Sequence, residues 1–165
     1  MTDMRSLLNE FNFVLEQSFL SRDFNSNIEY WDVSNVTDMS GMFSGARNFD
    51  QPLNGWDVSN VQDMSYMFCS ANSFNQPLNS WDVGNVTNMS SMFQRAFRFN
   101  QSLNQWDMSS IDRSRNMNRM FSEASDFDQS LHCWNMERVI SAPFEFSSRS
   151  ALDPANHPRW GTSGC

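Results

Sequence analysis

The sequence predicts an α/β solenoid, a stack of about five 25-residue coils that each run strand, short helix, turn. Three observations predict it. Trp31, Trp56, Trp81 and Trp106 stand 25 residues apart and open the same spelling, with a worn fifth copy at Trp134. Trp56 and Val58 flank Asp57, the alternation of a short strand. Met64, Met67, Phe68 and Ala71 then fall at i, i+3, i+4 and i+7, the apolar face of a short helix.

Residues 1–23 stand outside the repeat. Met4, Leu7, Leu8, Phe11, Val14, Leu15 and Phe19 recur at helical spacing behind Thr2 and Asp3, which suit an N-cap. This predicts an amphipathic helix over about residues 3–20, an N-terminal helical cap for the apolar end of the stack. Its polar face carries Glu10 and Glu16 rather than the lysines of a membrane-surface helix.

The repeat region spans 24–140. It opens with a half-coil at Phe24, and full coils follow over 31–55, 56–80, 81–105 and 106–133. The last of these is three residues longer, and the excess lies between Ile111 and Met117, as expected of a loop on one face of the stack. After Trp134 the pattern decays. Val139 and Phe146 are expected to keep their places, and Leu152-Asp153 to stand in for Phe-Asp. Pro143, Pro154 and Pro158 punctuate the rest, so 141–165 reads as a degenerate C-terminal cap.

One coil has no neighbour to bury its apolar face against, and stacking supplies one, with identical residues forming columns. The 12 Met and 6 Trp are therefore assigned to the core rather than to a cofactor. The pairs Asp50-Gln51, Asn75-Gln76, Asn100-Gln101 and Asp128-Gln129 form a further column, expected to be a hydrogen-bond ladder between turns.

The Leu-x-x-Trp-x-Val spacing follows the leucine-rich-repeat pattern Leu-x-x-Leu-x-Leu, and a period of 25 lies within that class's range of about 20–29 residues. The string Trp-Asp-Val-Ser-Asn-Val-Thr, then Met-Ser-x-Met-Phe, Ala and Phe-Asn-Gln-Pro-Leu-Asn, resembles the repeats of mycoplasma surface lipoproteins, grouped with BspA-like leucine-rich-repeat surface proteins. Four near-identical copies carry the match over about residues 24–140. The resemblance implies a leucine-rich-repeat-like stack used for adhesion or protein–protein contact, without catalytic residues. It suggests a cell-surface or extracellular place. The first twenty residues lack a charged start followed by an apolar run, so no signal peptide or anchor is expected. An intracellular, organellar or virion assembly is the alternative.

Composition excludes several classes. There are 19 acidic residues against 11 basic, all of them arginine, for a net charge of −8. Such a surface repels nucleic acid. No run of about 18 apolar residues exists to form a transmembrane segment. Cys69, Cys133 and Cys165 occupy unrelated repeat positions without a Cys-x-x-Cys, which argues against a disulfide scaffold and a zinc site. His132 and His157 stand alone, and no Ser/His/Asp arrangement, phosphate-binding glycine loop or metal-ligand spacing is visible. The expectation is a protein that is not an enzyme, with no cofactor and no metal.

Strand residues facing away from the core are expected to line a concave binding face: Tyr30, Asp32, Asp57, Ser80, Asp82, Gln105, Asp107 and Cys133. The aspartates repel one another unless each accepts local hydrogen bonds, and Ser59 is the obvious donor to Asp57. Because the aspartate is the same in every coil, a structural role is favoured over a cation stripe. Binding surfaces in repeat proteins usually vary, which directs interest to Tyr66, Phe97 and the Arg113 and Arg115 insertion as interface residues. The expected function is protein–protein interaction, as a structural subunit of a larger assembly or an adhesin-like module. The alternative is a cell-surface cation- or carbohydrate-binding module using the Asp column.

Overall fold

The computed structural model describes residues 20–165. The helix expected over about residues 3–20 falls, all but its last residue, outside the described residues.

The 25-residue period is a real structural period, but the rungs are built from turns. The segment expected to be a helix shows why. The N–H groups of Met67, Cys69 and Ala71 donate to carbonyls three residues back, those of Met64, Tyr66 and Phe68, at 3.0–3.2 Å. The N–H groups of Met64, Tyr66, Phe68 and Ser70 leave the segment altogether. They donate to Asn88, Ser90, Met92 and Gln94 of the next rung at 2.7–2.9 Å. An α-helix would satisfy all of them internally, four residues back. The expected α/β solenoid of leucine-rich-repeat type is thus corrected. Among the described residues, regular structure amounts to two 3-10 segments, Ser114–Met117 and Pro154–Asn156, and two isolated parallel bridges, Asp38 to Asp63 and Asp63 to Asn88.

Turns that close at the third residue carry the same residues inward as a helix would. Met64, Met67, Phe68 and Ala71 are all fully buried. The alternation of local and inter-rung bonds requires a left-handed residue twice per rung. Gly41 and Gly45, Tyr66 and Ser70, Ser91 and Arg95, Arg119 and Glu123, and Glu145 and Arg149 all have φ between 50° and 75°. For a residue other than glycine this costs about 1–2 kcal/mol. Each of these N–H groups from Gly41 to Glu123 donates to the following rung, a bond worth about 1 kcal/mol net that offsets much of the cost.

The expected strand at Trp56–Val58 is likewise absent. It lies between two turns, closed by Trp56 N–H to the Leu53 carbonyl (3.0 Å) and Val61 N–H to the Val58 carbonyl (2.9 Å). On this side, side chains join the rungs. The indole N–H of Trp56, Trp81, Trp106 and Trp134 donates to the carbonyl of Ile28, Leu53, Leu78 and Leu103 of the preceding rung, at 2.8–3.2 Å. Asn60 and Asn85 donate their side-chain amides to the Ser34 and Ser59 carbonyls, both at 2.8 Å.

The third side carries the expected ladder. Asn25, Asp50, Asn75 and Asn100 each accept, at one side-chain oxygen, the next rung's backbone N–H and its glutamine amide. Between these three sides lie aromatic columns. Phe43, Phe68, Phe93 and Phe121 follow one another at 5.4–5.6 Å with nearly parallel rings. Within a rung, Phe68 lies 4.1 Å from Phe74. Such ring pairs add about 0.5–1.5 kcal/mol each beyond area burial.

The insertion leaves this register intact. Met64 pairs with Asn88, and Met89 with Asn116, so the extra residues are taken up around the Ser114–Met117 3-10 turn. The last rung does shift. Phe68 and Phe93 donate their N–H groups to Met92 and Met120, but Phe121 donates to Phe146. Phe146 therefore takes the place of a methionine, and Ser147 that of the phenylalanine, against the expectation that Phe146 keeps its column. Phe146 meets Phe121, His157 and Trp160 edge-on. Leu152 and Asp153 do stand in for Phe-Asp: Leu152 is buried and Asp153 N–H donates to Asp128 at 2.9 Å. A disulfide links Cys133 to Cys165, which corrects the expectation that the cysteines would not pair; Cys69 is free.

Candidate functional site

Among the described residues there are no strands, and so no concave sheet. The residues assigned to it lie instead on the turn-built face that carries the tryptophans. Tyr30, Asp32, Asp57, Ser80, Asp82, Gln105 and Asp107 are exposed there, Tyr30 to 78%, while Cys133 is half-buried in its disulfide. Each aspartate closes a small turn on itself. Asp57 Oδ1 accepts the Ser59 N–H at 3.1 Å and the Ser59 hydroxyl at 2.6 Å, and Asp32 does the same with Ser34. Asp82 and Asp107 accept the N–H of Gly84 and Ser109 at 3.0 and 2.9 Å. The Ser59 hydroxyl, and then its N–H, hold the Asp57 carboxyl below the usual carboxylate range, against the opposing push of Asp32. This is the arrangement that lets a like-charged column stand.

The structure brings three of the eight assigned residues together. Gln105, Asp107 and Cys133, with Asn104, Trp106, Asn135 and Cys165, line an open recess of about 550 Å³. Asn135 also borders a second hollow of about 320 Å³ with Ser109, Ser110, Glu137 and Arg138. The larger is walled by amides, the Asp107 carboxylate and the disulfide, with Trp106 at its floor only 2% exposed; the smaller is walled by hydroxyls, an amide and the charged ends of Glu137 and Arg138. Asn135 was also expected on this face, as the partner of Cys133 across Trp134, whereas Cys165 was not assigned to a site from sequence, since no spacing signals its pairing with Cys133. Among the described residues no three His, Cys, Asp or Glu side chains converge as metal ligands, and no buried side-chain N or O lacks a partner.

The rung-variable residues lie elsewhere. Tyr66, in the left-handed slot of Gly41, Ser91 and Arg119, has φ 58° and is 50% exposed. Phe97 is 40% exposed, and its carbonyl accepts the Asp126 N–H of the next rung. Arg113 and Arg115 are exposed at the insertion, Arg113 beside Asp112 at 3.8 Å. Farther along, Arg95 pairs with Glu123 at 3.2 Å, and Arg119 pairs with Glu145 at 2.7 Å while lying over the Phe144 ring.

One arrangement was invisible in the sequence. Ser147 Oγ lies 3.0 Å from His157 Nε2, joining a serine and a histidine ten residues apart. Burial pushes the His157 imidazole down, with Asp153 pulling the other way. The pair sits where the phenylalanine column stops, and it satisfies two polar groups placed against Phe146. Neither recess is lined by either residue.

No helix among the described residues is long and apolar enough to cross a membrane. A family model described as "Mycoplasma protein of unknown function, DUF285" matches residues 3–117 and again residues 85–160. No curated protein and no solved structure matches the chain.

Proposed function

We propose, from the premise that this chain belongs to the DUF285 family, that it is a non-enzymatic repeat protein that binds another protein through its rung-variable surface residues. It would serve as a fixed subunit of a larger assembly or as an adhesin-like module, the role that the likeness to BspA-like surface repeats suggests.

The observation that carries this reading is Tyr66. An aromatic residue in a left-handed slot bears a conformational cost of about 1–2 kcal/mol. Its ring, 50% exposed, recovers only part of its burial energy. A partner that covered the ring would recover the rest, which is the economy of an interface hot spot. Phe97, exposed in a slot held by Arg47, Asn72 and Ser125, supports the same reading.

The test is co-purification from the native source with wild-type chain and with Tyr66→Ser and Phe97→Ser. The expected result is a partner held by the wild type and recovered at least roughly tenfold less by the variants, the loss of 1.4 kcal/mol or more. A chain that arrives alone, or variants that retain the partner fully, would overturn the reading. The Asp column needs no cation to account for it, since Ser34, Ser59, Gly84 and Ser109 already serve it. A rise in melting temperature on adding calcium would favour the cation-binding alternative instead.

A further inference from the structure

We propose that the Cys133–Cys165 disulfide is a redox clasp that holds segment 159–165 as a layer over the last rung. Cys133 stands just before Trp134, where that rung begins, with its Cα 4.4 Å from that of Cys165. The segment between runs back along the rung. Gly161 N–H donates to the carbonyls of Met136 (3.0 Å) and Val139 (2.9 Å), and Met136 N–H donates to the Thr162 carbonyl (2.8 Å). Gly164 presses so closely on the rung that a Cβ there would lie 1.9 Å from the Cys133 carbonyl oxygen. Trp160 adds one edge-on contact with Phe146 at 5.2 Å.

This layer is thin. Inner rungs are joined by a run of backbone bonds and by continuous Phe, Met and Trp columns. Segment 159–165 has one N–H that donates to the rung, one carbonyl that accepts from it and one ring, and most of its residues are exposed. What it covers is apolar: Met136 and Val139 are 1% exposed or less. A segment with so few buried contacts opens at low free energy unless a covalent bond restrains it. The two sulfurs also line the recess beside Gln105 and Asp107, so its wall moves with the clasp.

The switching reagent is a dithiol. Its thiolate attacks one sulfur and displaces the other cysteine as a thiolate, giving a mixed disulfide. Its second thiol then closes the reagent's own disulfide and releases the remaining cysteine. Two electrons and two protons pass to the protein, which gains two thiols, and the dithiol is oxidised to its cyclic disulfide.

The experiment is amide hydrogen exchange on the full chain with and without dithiothreitol, with thiols counted by alkylation. Alkylation is expected to find one thiol before reduction, Cys69, and three after. On reduction, the Gly161 and Met136 amides should exchange at least roughly tenfold faster, while those of Phe68 and Phe93 stay unchanged. Oxidised glutathione should restore the slow rate, and Cys165→Ser should show the fast rate without reductant. Three thiols in the oxidised protein, or unchanged exchange at Gly161 and Met136, would sink the proposal. Equal acceleration at Phe68 and Phe93 would also overturn it, because the disulfide would then be a staple for the whole stack.

Discussion

Asp50 and Asn75 are joined across two rungs. The Asp50 Oδ1 accepts the Asn75 backbone N–H at 2.9 Å, and the same oxygen accepts the Gln76 side-chain amide at 2.9 Å. Asn75 passes the arrangement on to Asn100 and Gln101, and Asp128 receives it from Asn100. The acceptor is a carboxylate in some rungs and an amide in others. Its work is therefore to offer one oxygen to two donors, and charge is incidental. Asp50→Ala should cost about 2 kcal/mol, since two donors lose their shared acceptor. Asp50→Asn should cost less than about 1 kcal/mol. Denaturant titration separates the two, and an asparagine variant as unstable as the alanine variant would refute the single-oxygen account.

Tyr66 and Gly41 occupy one left-handed slot in neighbouring rungs, at φ 58° and 64°. Tyr66→Gly should raise stability by about 1 kcal/mol by removing the Cβ clash, and Gly41→Ala should lower it by about as much. Thermal melts of the pair test the claim that these segments are alternating turns. In an α-helix both signs would be reversed, because glycine costs about 1 kcal/mol in a helix interior.

Phe68 touches Phe43, Phe74, Phe93 and Trp81 and is fully buried. Phe68→Ala should lower stability by about 3–5 kcal/mol. Trp81→Phe keeps most of the volume but removes the indole N–H that the Leu53 carbonyl accepts at 2.9 Å beside the Trp56 N–H, which should cost about 1 kcal/mol. Equilibrium unfolding measures both. A Trp81→Phe variant as stable as wild type would show that the tryptophan ladder contributes packing alone.

Burial holds the His157 imidazole below its ordinary pKa of 6.5, so folding favours the neutral ring. The sign follows from linkage: the folded chain binds fewer protons, so this contribution is fully present above pH 6.5 and is lost as pH falls below it towards the folded-state value. Melting temperature of the wild type should therefore drop between pH 7 and pH 5 more than that of His157→Gln. Parallel curves for the two proteins would refute the assignment.

Much of the core was legible in the sequence by itself. The 25-residue period, the buried Trp, Met and Phe positions and the Asn/Asp-Gln ladder all follow from identical side chains recurring in step, because stacking puts like on like. The serine donors to the Asp column were legible too, being two residues away. Secondary structure was not. Buried residues at i, i+3, i+4 and i+7 fit an α-helix and a run of three-residue turns equally well, and the two differ only in where the N–H groups go. In this chain the N–H of Phe68 goes to Met92, in another rung, and no local pattern records that choice. The tertiary structure alone also paired Cys133 with Cys165, brought Ser147 to His157 and moved Phe146 out of its column. Two of these join residues 32 and 10 apart, outside the repeat, and the third shifts the backbone register by one residue, so the periodicity that revealed the stack could not reveal them.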